Sequence, residues 1–260
     1  MDIQYKTVKS HSFNEDRFVI SNKIFGVIDG ATGLSGNTKG KKTTASKLSA
    51  FLKSKLERYN GENIEEYIEN LSKESYEKNL YPATCGISLA VIKESVVQFY
   101  FVGDCDIFCK LKNGEVRSLK QTRLGVLDGI AVDAMKKIAQ EKNISIKSAR
   151  PLINDVLIKH RNMVNKPNGY FAFEPQQNPN FKPTILEIDK EEIDRIIICT
   201  DGYSQCFTTL EILKDYKSLF EEDLNEVLNE IVKVSREDKD YNKYPRFKII
   251  DDITYVSVKF

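Results

Sequence analysis

Apolar positions along this chain switch between two periods, and the switches outline its elements. Alternating or continuous apolar runs occur at "DRFVI" and "KIFGVID" near the start and at "ATCGISLAVI" and "VVQFYFVGD" in the middle. Others follow at "TILEID", "RIIICTDG" and the closing "RFKIIDDITYVSVKF". Their Ile, Val, Tyr and Phe content predicts strands. Lys93-Glu94-Ser95 predicts the turn joining the middle pair, and Asn113-Gly114 a hairpin within "DIFCKLKNGEVRSL". Helical spacing takes over at 39–59, where Ala45, Leu48, Phe51, Leu52 and Leu56 recur, and again at 63–79. Further helices are predicted at 129–143, at 146–164 and as two stretches within 210–236. Strands, helices, strands, helices and a final strand make an α+β order rather than βαβ alternation.

No Pro/Gly/Ser linker, low-complexity segment or repeat interrupts this pattern, so residues 1–260 read as one domain. The stretch "KHRNMVNKPNGYFAFEPQQNPNFKP", with four prolines between 167 and 183, reads as an ordered loop. Lys+Arg number 39 and Asp+Glu 38, so no overall field recruits nucleic acid or a charged membrane. The basic cluster Lys39, Lys41, Lys42, Lys47, Lys53 and Lys55 has only Phe51 interleaved and reads as a solvated helix face. With no apolar run of about 18 residues, a membrane span is not expected. Five cysteines without a CxxC pair point to a reduced, intracellular protein, with Cys199 and Cys206 as buried small hydrophobes. Two histidines, His11 and His160, are too few for a His-rich zinc site. The glycine-rich "DGATGLSGNTKGKKTT" fits neither GxxxxGK[ST] nor GxGxxG.

Four apolar runs end at an aspartate: Asp29 in "FGVIDG", Asp104 in "YFVGD", Asp201 in "IIICTDG" and Asp251 in "KIIDD". One Asp-Gly at a strand exit is an ordinary turn. Four in one chain suggest a cluster, since neighbouring strand ends bring their carboxylates together. Clustered carboxylates cannot all stay ionised without a cation between them. Oxygen donors without His or Cys select Mg²⁺ or Mn²⁺, and such sites commonly perform phosphoryl chemistry.

In order along the chain, "NEDRF", "GVIDGATG", "ATCGISLAVI", "FVGDCDIF", "IICTDGYSQ" and "DDITYVSV" resemble the six motifs of the metal-dependent protein phosphatases of type 2C, the PPM family. The resemblance spans nearly the whole chain and is to the compact, bacterial-type single domain. It implies a four-layer αββα sandwich, two antiparallel β-sheets flanked by helices, with two core Mn²⁺ or Mg²⁺ ions and a weaker third between the sheets at one end. By motif match Asp29 would bridge two ions and the Gly30 carbonyl would bind one of them. Asp201 and Asp251 would hold the other, Glu15 and Asp16 would act through waters, and Asp104 with Asp201 would serve the third. Asp252 would be structural, helping the turn. The implied activity is hydrolysis of phosphoserine and phosphothreonine by a metal-activated water.

The implied partner is a phosphorylated protein, the target of a partner kinase, met by a cytoplasmic monomer that binds neither nucleic acid nor membrane. A flap beside the channel would fall at about residues 160–183 and would choose substrates. Three positions depart from the family. His11 stands where many members carry a phosphate-gripping Arg, Ala31 where some carry a His proposed as general acid, and Gln205 where several carry an Asp near the third metal. Two other readings stand beside the protein phosphatase: a pseudophosphatase that binds a phosphoprotein without turnover, and a phosphatase of small phosphoesters.

Overall fold

The computed structural model describes residues 1–10, 12–32 and 42–260. Among the described residues ten strands form two antiparallel sheets. The first orders β1 (Asp2–Val8), β10 (Ile253–Lys259), β9 (Ile193–Cys199), β6 (Asp106–Leu111) and β7 (Val116–Leu119). The second orders β2 (Arg17–Ile20), β3 (Ile24–Thr32), β4 (Ala83–Ile92), β5 (Val96–Val102) and β8 (Thr184–Asp189). Period-two alternation sorts their side chains into separate cores. Ile196 and Ile198 of β9 and Val256 and Val258 of β10 meet Val27, Phe99 and Phe101 between the sheets. The intervening Ile197, Cys199, Ile253 and Tyr255 face outward and are covered by helices. Each fully buried aliphatic of this kind contributes roughly 1.5–3 kcal/mol.

Helices complete the outer layers. On α1 (Thr44–Leu56) the buried Ala45, Leu48, Leu52 and Leu56 form the stripe that the spacing predicts. Thr43 caps it by accepting from the Ser46 N–H, and Lys53 and Lys55 face the negative end of the helix dipole. With α2 (Ile64–Glu77) it covers the second sheet. On the other side α6 (Asp201–Thr208) and α7 (Leu224–Glu237) cover the first. A third group, α3 (Arg123–Lys142), α4 (Ile146–Ala149) and α5 (Asn154–Arg161), gathers Ala131, Met135, Ile146 and Ile153 with Tyr241 and Phe247 into a core of its own.

The expected sandwich is the observed fold, with differences in its elements, and the one helix expected at 146–164 is α4, a 3-10 turn at Arg150–Ile153 that carries Pro151, and α5, which ends at Arg161. β1 was not expected: it is an edge strand whose only partner is β10, so most of its side chains stay half or fully exposed and leave little apolar signal. The helix α6 lies before the 210–236 window, because "TDG" reads as a turn while Tyr203 and Cys206 just after it bury against the sheet. The helix α3 starts at Arg123, six residues early. Within 160–183, Phe173 exchanges backbone hydrogen bonds with Cys85 at 2.8 and 2.9 Å, and Phe173 and Phe181 are buried under α1 and α2. All five cysteines are buried and free, including Cys199 and Cys206.

Candidate active site

One end of the sandwich collects the acidic motifs. Asp16 immediately precedes β2, Asp29 lies within β3, and Asp104 sits where the chain crosses from β5 to β6, that is, from one sheet to the other. From the opposite sheet come Asp201, at the start of α6 after β9, and Asp251, two residues before β10. Carboxylate oxygens of Asp29 and Asp104 lie with the Cys105 sulfur within 4.8 Å of one another. Gly30 and Glu15 line the same cleft, whose volume is about 1560 Å³.

Two glycines make the convergence sterically possible. Gly86 of β4 lies opposite Asp29, and a Cβ there would stand 2.7 Å from Asp104 Oδ1 and 3.2 Å from Cys105 Sγ. At Gly202 a Cβ would come within 2.0 Å of the Asp252 carbonyl, so Asp201 reaches the closing strand only because its neighbour is bare.

Hydrogen bonds fix individual carboxylates. The Thr200 hydroxyl donates to Asp16 Oδ2 at 2.8 Å and accepts the Thr254 N–H at 3.0 Å, tying Asp16 to β10. Asp251 Oδ1 accepts the Asp252 N–H at 2.9 Å. Asp252 lies beside Asp16 at the edge of the cluster, and its oxygens are taken up by the N-terminal segment. Its Oδ1 accepts from the Ser10 N–H and hydroxyl at 2.6 and 2.8 Å, and its Oδ2 from the Glu15 N–H at 2.7 Å. The last bond positions the acidic N-terminal motif from the far end of the chain.

The electrostatics are those of crowded like charges. Burial, then Asp16, Asp201 and Asp104, push Asp29 well above the usual carboxylate range. Burial, then Asp252, does the same to Asp16, against the Thr200 hydrogen bond. Asp201 is pushed up to about 7 by burial, then by Asp251 and Asp104; Lys248 and the nearby Asp29 carboxyl offset part of this. Asp104 rises to about 6 by burial and the approach of Asp128. A divalent cation would relieve this repulsion, and the aspartate carboxylates that would hold it are hard oxygen donors. Burial also holds the Cys105 thiol far above its ordinary range, which leaves it protonated and a poor ligand. The residues present therefore fit Mg²⁺ or Mn²⁺ and not a thiolate-selecting metal.

Three further residues line the cleft that no motif signalled. Asp128 of α3 is raised to about 6 by burial and then Asp201, with Arg161 and Lys248 pulling it back. Arg161, the last residue of α5, donates to the Thr84 hydroxyl at 3.2 Å and directs its charge at Asp104 and Asp128. Lys248 pairs with Asp251 at 2.7 Å. Each occupies a position where a charge is unremarkable in sequence, on a helix or a loop. His11 lies outside the described residues; Gln205 of α6 lines the cleft. Of the segment 160–183, His160, Arg161, Tyr170 and Ala172 reach the cleft, beside α3.

A sequence profile described as protein phosphatase 2C matches residues 3–243. Comparison with curated proteins finds no match. The crystal structure of the serine/threonine phosphatase Stp1 from Staphylococcus aureus aligns with 100% of this chain and 94% of its own, at a TM-score of 0.59 and 13% identity. The catalytic domain of the serine threonine protein phosphatase PstP, in complex with two manganese ions, aligns over 99% and 97% at a TM-score of 0.57 and 12% identity. RsbX in complex with magnesium aligns over 98% and 92% at a TM-score of 0.52 and 18% identity. At these identities the likeness is one of fold.

Proposed function

The chain belongs to the protein phosphatase 2C family, a metal-dependent phosphatase family, and on that premise we propose that it hydrolyses phosphoserine and phosphothreonine in proteins with Mn²⁺ or Mg²⁺. The observation that carries this reading is the meeting of Asp16, Asp29 and Asp104 with Asp201 and Asp251 from the facing sheet in a single cleft. Asp29, the Gly30 carbonyl, Asp201 and Asp251 are the proposed ligands of the core ions. Asp104, with Asp201, would serve a third, and Glu15 and Asp16 would bind and orient water beside them. Bound there, the ions supply Lewis acidity, lowering the pKa of water and neutralising phosphoryl charge.

The chain's own residues do the rest. Asp16, held by Thr200, and Glu15, whose backbone is held by Asp252, present acceptors that aim an attacking water. Arg161 offers guanidinium N–H groups to the phosphate oxygens, with His11 assigned to the same task from its place in the motif. No Ser or Cys nucleophile is required: Cys85 and Cys105, the thiols beside the cluster, are both buried with strongly raised pKa values. The cleft has room for a polypeptide, which favours a protein over a small phosphoester. Among the described residues no helix is long and apolar enough to cross a membrane. We infer one domain over residues 1–260, working as a cytoplasmic monomer on the targets of a partner kinase.

The deciding experiment is dephosphorylation of a phosphothreonine peptide with Mn²⁺, with Mg²⁺ and in EDTA. Turnover should require the ion, and equal activity after chelation would overturn the reading.

A further inference from the structure

Lys248 lies on the segment between α7 and β10, three residues before Asp251. Its ammonium donates to both oxygens of that carboxylate, at 2.7 Å to Oδ1 and 2.8 Å to Oδ2. A pair of this kind at a surface is usually worth little, because two long side chains must be ordered against water. Two features set this one apart. The segment is pinned by Arg246, a buried residue that donates to the backbone oxygens of Ser235, Asp238, Tyr244 and Ile249 and, at 2.7 Å, to Asp238 Oδ2. Lys248 thus projects from a backbone that is already ordered. Its charge also falls on a crowd of carboxylates, Asp201, Asp29 and Asp128 besides Asp251, whose mutual repulsion it offsets.

We propose that Lys248 is a tethered counter-cation that holds Asp251 in the metal-free protein and competes with the metal ion for that carboxylate, thereby setting the ion concentration at which the site fills. This rests on the reading above that Asp251 is a metal ligand. An ion taking either Asp251 oxygen displaces one Lys248 hydrogen bond, and the ammonium is then repelled by the divalent charge beside it. Both effects weaken ion binding, and both vanish when the side chain is neutral. The metal-free state, in contrast, loses a compensating charge. Lys248 therefore acts through Asp251 and is a positioning residue rather than a catalytic one.

The test compares the wild type with Lys248→Gln and Lys248→Arg by titrating Mn²⁺ into chelator-stripped protein in a calorimeter and by melting the metal-free proteins. Lys248→Gln should bind Mn²⁺ about ten-fold more tightly and melt lower without metal, while Lys248→Arg should restore wild-type behaviour in both measurements. If Lys248→Gln can be isolated only with Mn²⁺ bound, its release of the ion into excess EDTA gives the same comparison. Slower release than wild type supports the proposal; equal or faster release overturns it. Unchanged or weaker Mn²⁺ affinity in Lys248→Gln, with a raised KM for phosphopeptide, would instead make Lys248 a substrate contact and sink the competition. A wild type that binds no Mn²⁺ at all would overturn the phosphatase-site reading, and this proposal with it.

Discussion

The Asp252 carboxylate accepts the backbone N–H of Glu15 at 2.7 Å, joining the last acidic motif of the chain to the first. Its neighbour Asp251 faces the carboxylate cluster. The two adjacent aspartates should therefore fail differently. Asp252→Asn replaces an acceptor oxygen by a donor where three donors converge, and should destabilise the fold by about 1–3 kcal/mol. Asp251→Asn should keep the fold, bind Mn²⁺ poorly and lose at least ~100-fold in kcat. Melting curves beside kinetics separate the cases, and equal kinetic defects with equal Tm values would reverse the assignment.

Asp104 and Asp201 differ in the same graded way. Asp201 is proposed for a core ion and the third, Asp104 for the third alone. Asp201→Asn should be nearly inactive at any Mn²⁺ concentration. Asp104→Asn should approach wild-type kcat at high Mn²⁺ and lose activity at low Mn²⁺, as a titration of rate against ion concentration would reveal.

Metal-free protein should show an unusual pH dependence of stability. Asp201 keeps its proton up to about pH 7 and Asp104 and Asp128 up to about 6 when folded, well above the carboxyls of an unfolded chain. Over the window from the ordinary carboxylate range to about pH 7 the folded state binds the extra protons, so stability falls as pH rises. In EDTA, Tm should be higher near pH 5.5, roughly inside that window, than near pH 8, above it. Saturating Mn²⁺ should flatten or invert the trend, since its binding requires deprotonated ligands. A metal-free Tm that climbs across the same range would contradict the crowding.

Gly86→Ala tests the geometry of the pocket floor. The added methyl would stand 2.7 Å from Asp104 Oδ1, so that carboxylate or its loop must shift. We expect the phenotype of Asp104→Asn, a raised Mn²⁺ requirement, together with a lower Tm. Wild-type ion dependence would mean that the Asp104 side chain moves aside without consequence.

Arg161→Ala should raise KM for phosphopeptides and weaken inhibition by inorganic phosphate, each by about ten-fold if a charged hydrogen bond is lost, with Mn²⁺ affinity not weakened. Arg161→Lys should recover part of the loss, because it keeps the charge but not the fork of donors.

How much of this was legible in the sequence follows from chemistry. Asp29, Asp104, Asp201 and Asp251 stood out because a carboxylate closing an apolar run is costly unless something binds it. The α+β order was legible from the apolar runs that become β4, β9 and β10, while the sandwich itself followed from the resemblance of the six motifs, because strands buried on both faces do not say which sheet they join. Lys248, Arg161 and Asp128 were not, since charges on a loop or helix surface carry no such cost, and only the fold turns them toward the cleft. The role of Asp252 was half legible: its adjacency to Asp251 marked the pair, but its bonds to Ser10 and Glu15 join residues more than 230 positions apart.

The helices α3 to α5, which wall the cleft, gather around their own small core of Ala131, Met135, Ala139, Ile146 and Ile153. That cluster shares no residue with the packing between the two sheets, so a mutation that loosens it should leave the sheets in place. Selection can thus reshape the wall, and with it the choice of target, while the acidic floor stays fixed. The same separation should let the wall open by itself: amides of α3 to α5 should exchange with deuterium sooner than those of β3, β4 and β9, which unfold only with the whole domain. Inheritance of chemistry and invention of specificity would then fall on different parts of one short chain.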